Sequence, residues 1–260
     1  MTELSSEDLE YAKEGAVARI TLRRPSKLNT VTAAMGRQLF AIAADVDADD
    51  AIRVAILAGT GERAFSAGSD VKVLDDYGSN WHLRNRADYC VAIWNIRKPL
   101  IAAIRGYCIG GGLELALSCD IRVASETATF GAGEIRLGWH GGAGNTQLLP
   151  RLVGYGKAMQ MVLTGDLIDA QEARADGLVQ QLVPDGELEA AADALAARIA
   201  ANAPIAAQLA KHLIRMSEST SVDVGLRWEN DLFTYCMTTA DAQEGIAAFK
   251  EKRAPVFRGE

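Results

Sequence analysis

Two glutamates stand where a folded chain has little reason to place them. Glu114 follows three consecutive glycines, Gly110, Gly111 and Gly112, and is embedded in the apolar run Leu113-Glu114-Leu115-Ala116-Leu117. A carboxylate is costly to bury there unless it serves chemistry; the alternative is an ordinary charge at the positive end of a helix. Glu134 closes Phe130-Gly131-Ala132-Gly133-Glu134, where the alternative is a solvated loop carboxylate. The triple glycine lets the backbone turn with no Cβ in the way, so an amide N–H can face a ligand at a helix N-terminus. A second glycine turn, Phe65-Ser66-Ala67-Gly68-Ser69-Asp70, follows a strand-like run and offers another amide. Two backbone donors and two carboxylates suit proton transfer beside a carbonyl, where a carboxyl moves the proton and the donors hold enolate charge.

The surrounding pattern predicts elements able to hold these groups. Over 16–22, Val17, Arg19 and Thr21 alternate with Ala18, Ile20 and Leu22, as in a half-buried strand. Thr32 fits an N-cap, and Met35, Leu39, Ile42 and Val46 recur behind it at helical intervals. Residues 54–57, 99–104 and 121–124 read as further strands, giving an α/β core. Asp75 to Asn85 is polar and turn-rich, a segment expected to shape a pocket. Beyond Pro184 the pattern is helical, divided at Pro204 and continued over 222–236 and 240–253. The expected division is a core over 1–200 and a helical region over 201–260. Met35, Met159 and Met161 read as core filling.

With 260 residues, 49% hydrophobic and 23% charged, the chain can bury one large core, with or without a small subdomain. A net charge of -7 argues against a general nucleic-acid binder, though not against a local basic pocket for a phosphorylated group. The four cysteines lack C-x-x-C spacing, no metal site is expected, and a reducing, cytoplasmic setting fits. The acidic N-terminus has no signal-peptide pattern, and the longest apolar stretch is interrupted by Arg105, Glu114 and the glycines, so neither export nor a membrane span is expected. No G-x-G-x-x-G dinucleotide fingerprint occurs, and no G-x-S-x-G for a serine hydrolase.

The ordered series Phe65–Asp70, Lys98-Pro99-Leu100-Ile101-Ala102-Ala103, Gly110–Ala116, Cys119-Asp120 and Phe130–Glu134 resembles the crotonase (enoyl-CoA hydratase/isomerase) superfamily. The likeness extends from Arg24-Pro25 through Met161–Gly165 to Ala248–Arg253. It implies an α/β fold, a crotonase-type spiral of repeated ββα units with a C-terminal helical trimerisation region, and a homotrimer or dimer of trimers. It also implies that Glu114 and Glu134 are the catalytic pair, that the N–H groups of Ser69 and Gly111 form an oxyanion hole, and that the Gly142 amide contacts the catalytic water. Lys27, Ala67, Gly68, Asp70, Lys72, Phe249 and Lys252 would line coenzyme A, which is part of the substrate rather than a separate cofactor. The implied reaction is hydration of a trans-2-enoyl-CoA, with Glu114 activating water and Glu134 giving a proton to Cα. Paired carboxylates do not both ionise cheaply, so one proton would be shared near neutral pH. An isomerase, a specialised dehydratase of the carnitinyl-CoA type and a non-catalytic acyl-CoA-binding scaffold are the alternatives. The chain departs from the family over 139–148, with Gly141 at a usual proline, Asn145 at a usual glycine and Leu148 at a usual arginine. Trp139 and His140 are expected to bear on the acyl pocket.

Overall fold

Alternating side chains and a tight turn build the first hairpin. Strand β1 (Leu9–Glu14) pairs antiparallel with β2 (Val17–Leu22), and Gly15, at φ 60, makes the connection. Leu9, Tyr11, Ala18, Ile20 and Leu22 point into the core. Strand β1 was not expected, because its polar residues dominate the sequence pattern. The computed structural model describes residues 2–72 and 78–260, so Asp75, Asp76 and Tyr77 of the polar segment lie outside the described residues.

From β3 onward, one unit repeats. Strands β3 (Val54–Gly59) and β4 (Ala64–Ser66) precede helices α2 (Asn80–Arg84) and α3 (Tyr89–Trp94); β5 (Leu100–Ile104) and β6 (Tyr107–Ile109) precede α4 (Gly111–Ser118); β7 (Ile121–Ser125) and β8 (Thr129–Gly131) precede α5 (Leu149–Val153) and α6 (Tyr155–Thr164). The first strand of each pair enters a six-stranded sheet of order β1-β2-β3-β5-β7-β10, in which β10 is Gln181–Val183. The second enters a four-stranded sheet of order β4-β6-β8-β9, in which β9 is Ile168–Asp169. Neighbours from β2 through β10 are parallel, and parallel pairing requires a crossover for every step. The result is the expected spiral of ββα units. Tight corners between paired strands help make it: a Cβ on Gly106, at φ +61, would lie 2.3 Å from the Arg63 carbonyl oxygen.

Helix α1 (Ala33–Ala48) starts as read, with the Thr32 hydroxyl accepting the Met35 N–H at 3.2 Å. It buries Met35, Leu39, Ile42 and Val46 against the main core. The Arg122 guanidinium is buried too, donating to the carbonyls of Leu178, Ala116 and Cys119 at 2.6, 3.3 and 3.0 Å. It satisfies carbonyls at the negative end of α4 and so fixes the helix whose other end carries Glu114. Met161 is buried as expected, but Met159 is 40% exposed on the outer face of α6, a correction to its reading as core filling. All four cysteines are free thiols and three are buried.

Helices α7 (Ala170–Ala175) and α8 (Leu188–Ala200) follow, and α8 lays Leu188, Ala192 and Ala196 on the large sheet. No residue beyond Ala200 enters either hydrophobic core cluster. Helix α9 (Pro204–Ser217) docks instead through polar contacts, with Lys211 Nζ 2.6 Å and Arg215 Nη2 2.8 Å from the Asp120 carboxylate. Helices α10 (Val222–Cys236) and α11 (Ala240–Glu251) complete the chain and leave Val222, Leu226, Phe233, Tyr235 and Phe249 exposed. Among the described residues, no helix is long and apolar enough to cross a membrane.

Candidate active site

Where β4 ends and α4 begins, two backbones touch because both segments are glycine. A Cβ on Gly112 would fall 1.9 Å from the Ser66 carbonyl oxygen, and one on Gly68, at φ +85, would fall 2.5 Å from the Gly111 nitrogen. This contact sets the Ser69 turn against the N-terminus of α4. Val31 fixes the other side of the turn, its N–H donating to Gly68 O at 2.8 Å and its carbonyl accepting the Asp70 N–H at 3.0 Å. The Ser69 N–H, lying between those bonds, has no acceptor among the described residues. Neither does the Gly111 N–H, the first of α4. Both residues line a cavity of about 530 Å³, a volume ordinary for a small-molecule site.

Both glutamates line the same cavity. Glu114 is only 5% exposed, and its Oε1 accepts the N–H of Ala143 at 2.7 Å and of Asn145 at 3.3 Å. Burial pushes its carboxyl up to about 7, against the two backbone donors, with a further upward push from Glu134. Glu134 is raised as well, by burial first, while its own backbone, the Asn145 amide and nearby His140 act in the opposite direction. Its Oε1 accepts from Asn145 Nδ2 at 2.9 Å, whereas its buried Oε2 has no partner among the described residues. One carboxylate oxygen is thus anchored, and the other is buried with its hydrogen-bonding capacity unmet.

The remaining wall is mixed. The Tyr89 hydroxyl lies 2.9 Å from Ser69 Oγ, and burial keeps this phenol neutral by raising it well above its ordinary range. Arg86 and Asp88 form an ion pair at the rim, and Leu83, Leu137, Trp139 and His140 complete the apolar side. Arg86, Asp88 and Tyr89 were not anticipated. Asp88 had a legible signal as the cap of α3, accepting the Cys90 N–H at 2.9 Å, but nothing local tells that this cap borders a cavity. Leu83 is the described part of the polar segment that bears out its expected part in shaping the pocket.

Comparison with known proteins gives the arrangement a family. The sequence profile of enoyl-CoA hydratase/isomerase matches residues 12–260. The chain belongs to that family. A probable enoyl-CoA hydratase of Rhizobium meliloti (strain 1021) is 43% identical over 98% of this chain and 99% of its own length. The 2,3-dehydroadipyl-CoA hydratase of Escherichia coli (strain K12) is 40% identical over 97% of this chain and 99% of its own length. The crystal structure of enoyl-CoA hydratase from Bacillus anthracis superposes with a TM-score of 0.92, at 38% identity, covering 97% of this chain and all, 100%, of that one.

Within this enoyl-CoA hydratase/isomerase fold, the residues singled out by resemblance fall into two groups. Glu114, Glu134, Ser69, Gly111, Gly142 and Ala67 converge on the cavity, with Gly68 supporting them from behind. Asp70 is held by Arg24, its Oδ2 lying 3.1 Å from both Nη1 and Nη2. Lys27, Lys72, Phe249 and Lys252 are exposed and do not line the cavity; Phe249 is 85% exposed. The departures also acquire a shape. A Cβ at Gly141 would lie 2.7 Å from Glu114 Oε1 and 2.7 Å from the Asn145 Cβ, so the glycine makes room for both side chains.

Proposed function

We propose that this chain is an enoyl-CoA hydratase that adds water reversibly across the double bond of a trans-2-enoyl-CoA. The observation that carries this reading is one cavity holding a buried and a half-buried carboxylate and two uncommitted backbone amides. Hydration starts with Glu114 ionised and Glu134 protonated. Glu114 takes a proton from water as the water oxygen bonds to Cβ. The electron pair shifts toward the thioester oxygen, where the Ser69 and Gly111 N–H groups hold the developing charge. The Glu134 carboxyl then releases its proton to Cα. The pair ends with its proton on Glu114, the form required for dehydration by the reverse path. Burial raises both carboxyls, Glu114 to about 7, so the pair can carry the one proton the cycle needs near neutral pH. Coenzyme A arrives within the substrate, and the scheme draws on no other cofactor.

Ala67, Gly68 and Asp70, on the glycine turn, and Lys72 beside it would meet the coenzyme A portion, with Lys27 close in sequence to the Arg24 that holds Asp70. Phe249 and Lys252 would reach it in an assembly. We read the exposed apolar residues of α9 to α11 as the seam of a homotrimer or dimer of trimers, with 1–200 as core and 201–260 as oligomerisation region. Sedimentation should then report three or six times the 27.8 kDa chain mass, and a monomer would refute the seam. A cytoplasmic location is part of the same reading.

The test of function is loss of conjugated-thioester absorbance with short, long, branched, aromatic and carboxylate-tipped trans-2-enoyl-CoAs. Rapid loss with at least one supports the hydratase and reports its acyl class. Turnover of 3-enoyl-CoAs alone would establish an isomerase instead.

A further inference from the structure

We infer that Asn145 is a positioning residue that ties the two carboxylates together, using its main chain for one and its side chain for the other. This inference rests on the hydratase reading of the site. The Asn145 N–H donates to Glu114 Oε1 at 3.3 Å, while its Nδ2 donates to Glu134 Oε1 at 2.9 Å. The same Nδ2 lies 3.5 Å from the carbonyl of Gly110, the residue that caps α4. Asn145 is fully buried, at 0% exposure, so these bonds form away from bulk water. Backbone from 141 is fitted around it: a Cβ there would fall 2.9 Å from Nδ2 and 2.7 Å from the Asn145 Cβ. A glycine at 145 could supply only the first of the two donors.

A donor to one oxygen of Glu134 does two things. It fixes the orientation of the carboxyl through Oε1, leaving the buried Oε2 unpartnered, and it favours the ionised form. The other charged and titratable groups around Glu134 are Glu114 on α4, His140 in the following loop, the Arg86–Asp88 pair before α3 and the Tyr89 phenol. Only Asn145 is bonded to both glutamates among the described residues. Deleting its side-chain amide raises the affinity of Glu134 for a proton. Ionisation of the coupled pair therefore moves to higher pH.

The experiment compares the native enzyme with Asn145→Ala and Asn145→Gly, and with Thr146→Ala as a neighbouring control. The pH profile of kcat/KM for hydration should show its acid limb displaced upward by roughly one unit in both Asn145 variants, because a hydrogen bond to a charged group has that size. The displacement should be equal for dehydration, since kcat/KM reports the free enzyme in both directions. The control should keep the native profile. A uniform fall in rate with the acid limb unmoved would overturn the inference, leaving Asn145 a packing residue. Carboxyl titration of 13C-glutamate-labelled protein by NMR reads the same displacement without substrate. An unmoved Glu134 titration there would reject the tie even if the chain hydrated nothing, whereas a displaced titration without hydration would reject the hydratase reading and keep the tie.

Discussion

Glu114→Gln loses hydration activity by about 10²–10⁴-fold and gains thermal stability at pH 8. The two effects share one cause. Glutamine preserves the shape and can still accept the Ala143 and Asn145 N–H groups through its carbonyl oxygen, but it cannot take a proton from water. The native carboxyl is raised from its ordinary 4.5 to about 7 chiefly by burial. Below pH 4.5 it is protonated in both folded and unfolded chains and contributes nothing to pH dependence. Between these values the folded chain binds more protons than the unfolded one, so stability falls as pH rises. Above about pH 7 the full cost, on the order of 3 kcal/mol, is present. Melting curves at pH 5 and pH 8 should therefore diverge less for the variant than for the native protein. Glu134→Gln should lose activity on the same scale. Retained turnover in the Glu114 variant would remove this residue from the chemistry.

Gly112→Ala should be the most damaging single methyl group in the molecule. Its Cβ would meet the Ser66 carbonyl oxygen at 1.9 Å, and that oxygen is backbone, unable to swing aside. Helix α4 would have to move off the Ser69 turn. Overpacking of this kind costs about 1–3 kcal/mol or more, and separating the two amides should lower kcat by about 10²–10³-fold, as loss of an oxyanion donor does. Gly156→Ala, in α6 with nothing within 4 Å of the new Cβ, is the matched control. It should fold and turn over like the native chain. Equal behaviour of the two variants in melting and kinetic assays would refute the close-contact account.

Strands β2, β3, β5 and β7 of the large sheet were legible because each is long enough to show a period or an apolar run, whereas three-residue β10 was not. The second sheet was not, since β4, β6 and β8 have three residues each, too few for any pattern to distinguish strand from turn. Strand β1 hid behind Glu10, Lys13 and Glu14. Glu114 announced itself through its apolar neighbours. Glu134 needed the family likeness, because its flanks are glycine-rich and its hydrogen-bond partner Asn145 lies 11 residues further along the chain. The pairing of Arg24 with Asp70 and the place of Tyr89 depend on contacts between segments 46 and 20 residues apart, which local sequence does not encode.

The unequal anchoring of the cavity wall has a consequence for how such a protein can diversify. The amide donors and Glu114 belong to elements locked into the main core, but Leu137, Trp139 and His140 belong to neither core cluster, and Leu137 and Trp139 are 58% and 45% exposed. Substitutions at these three positions therefore face little folding selection. A descendant could exchange its diet of acyl groups by drift along one loop while inheriting the proton-transfer apparatus intact, and a designer could retrace that route with a three-position library.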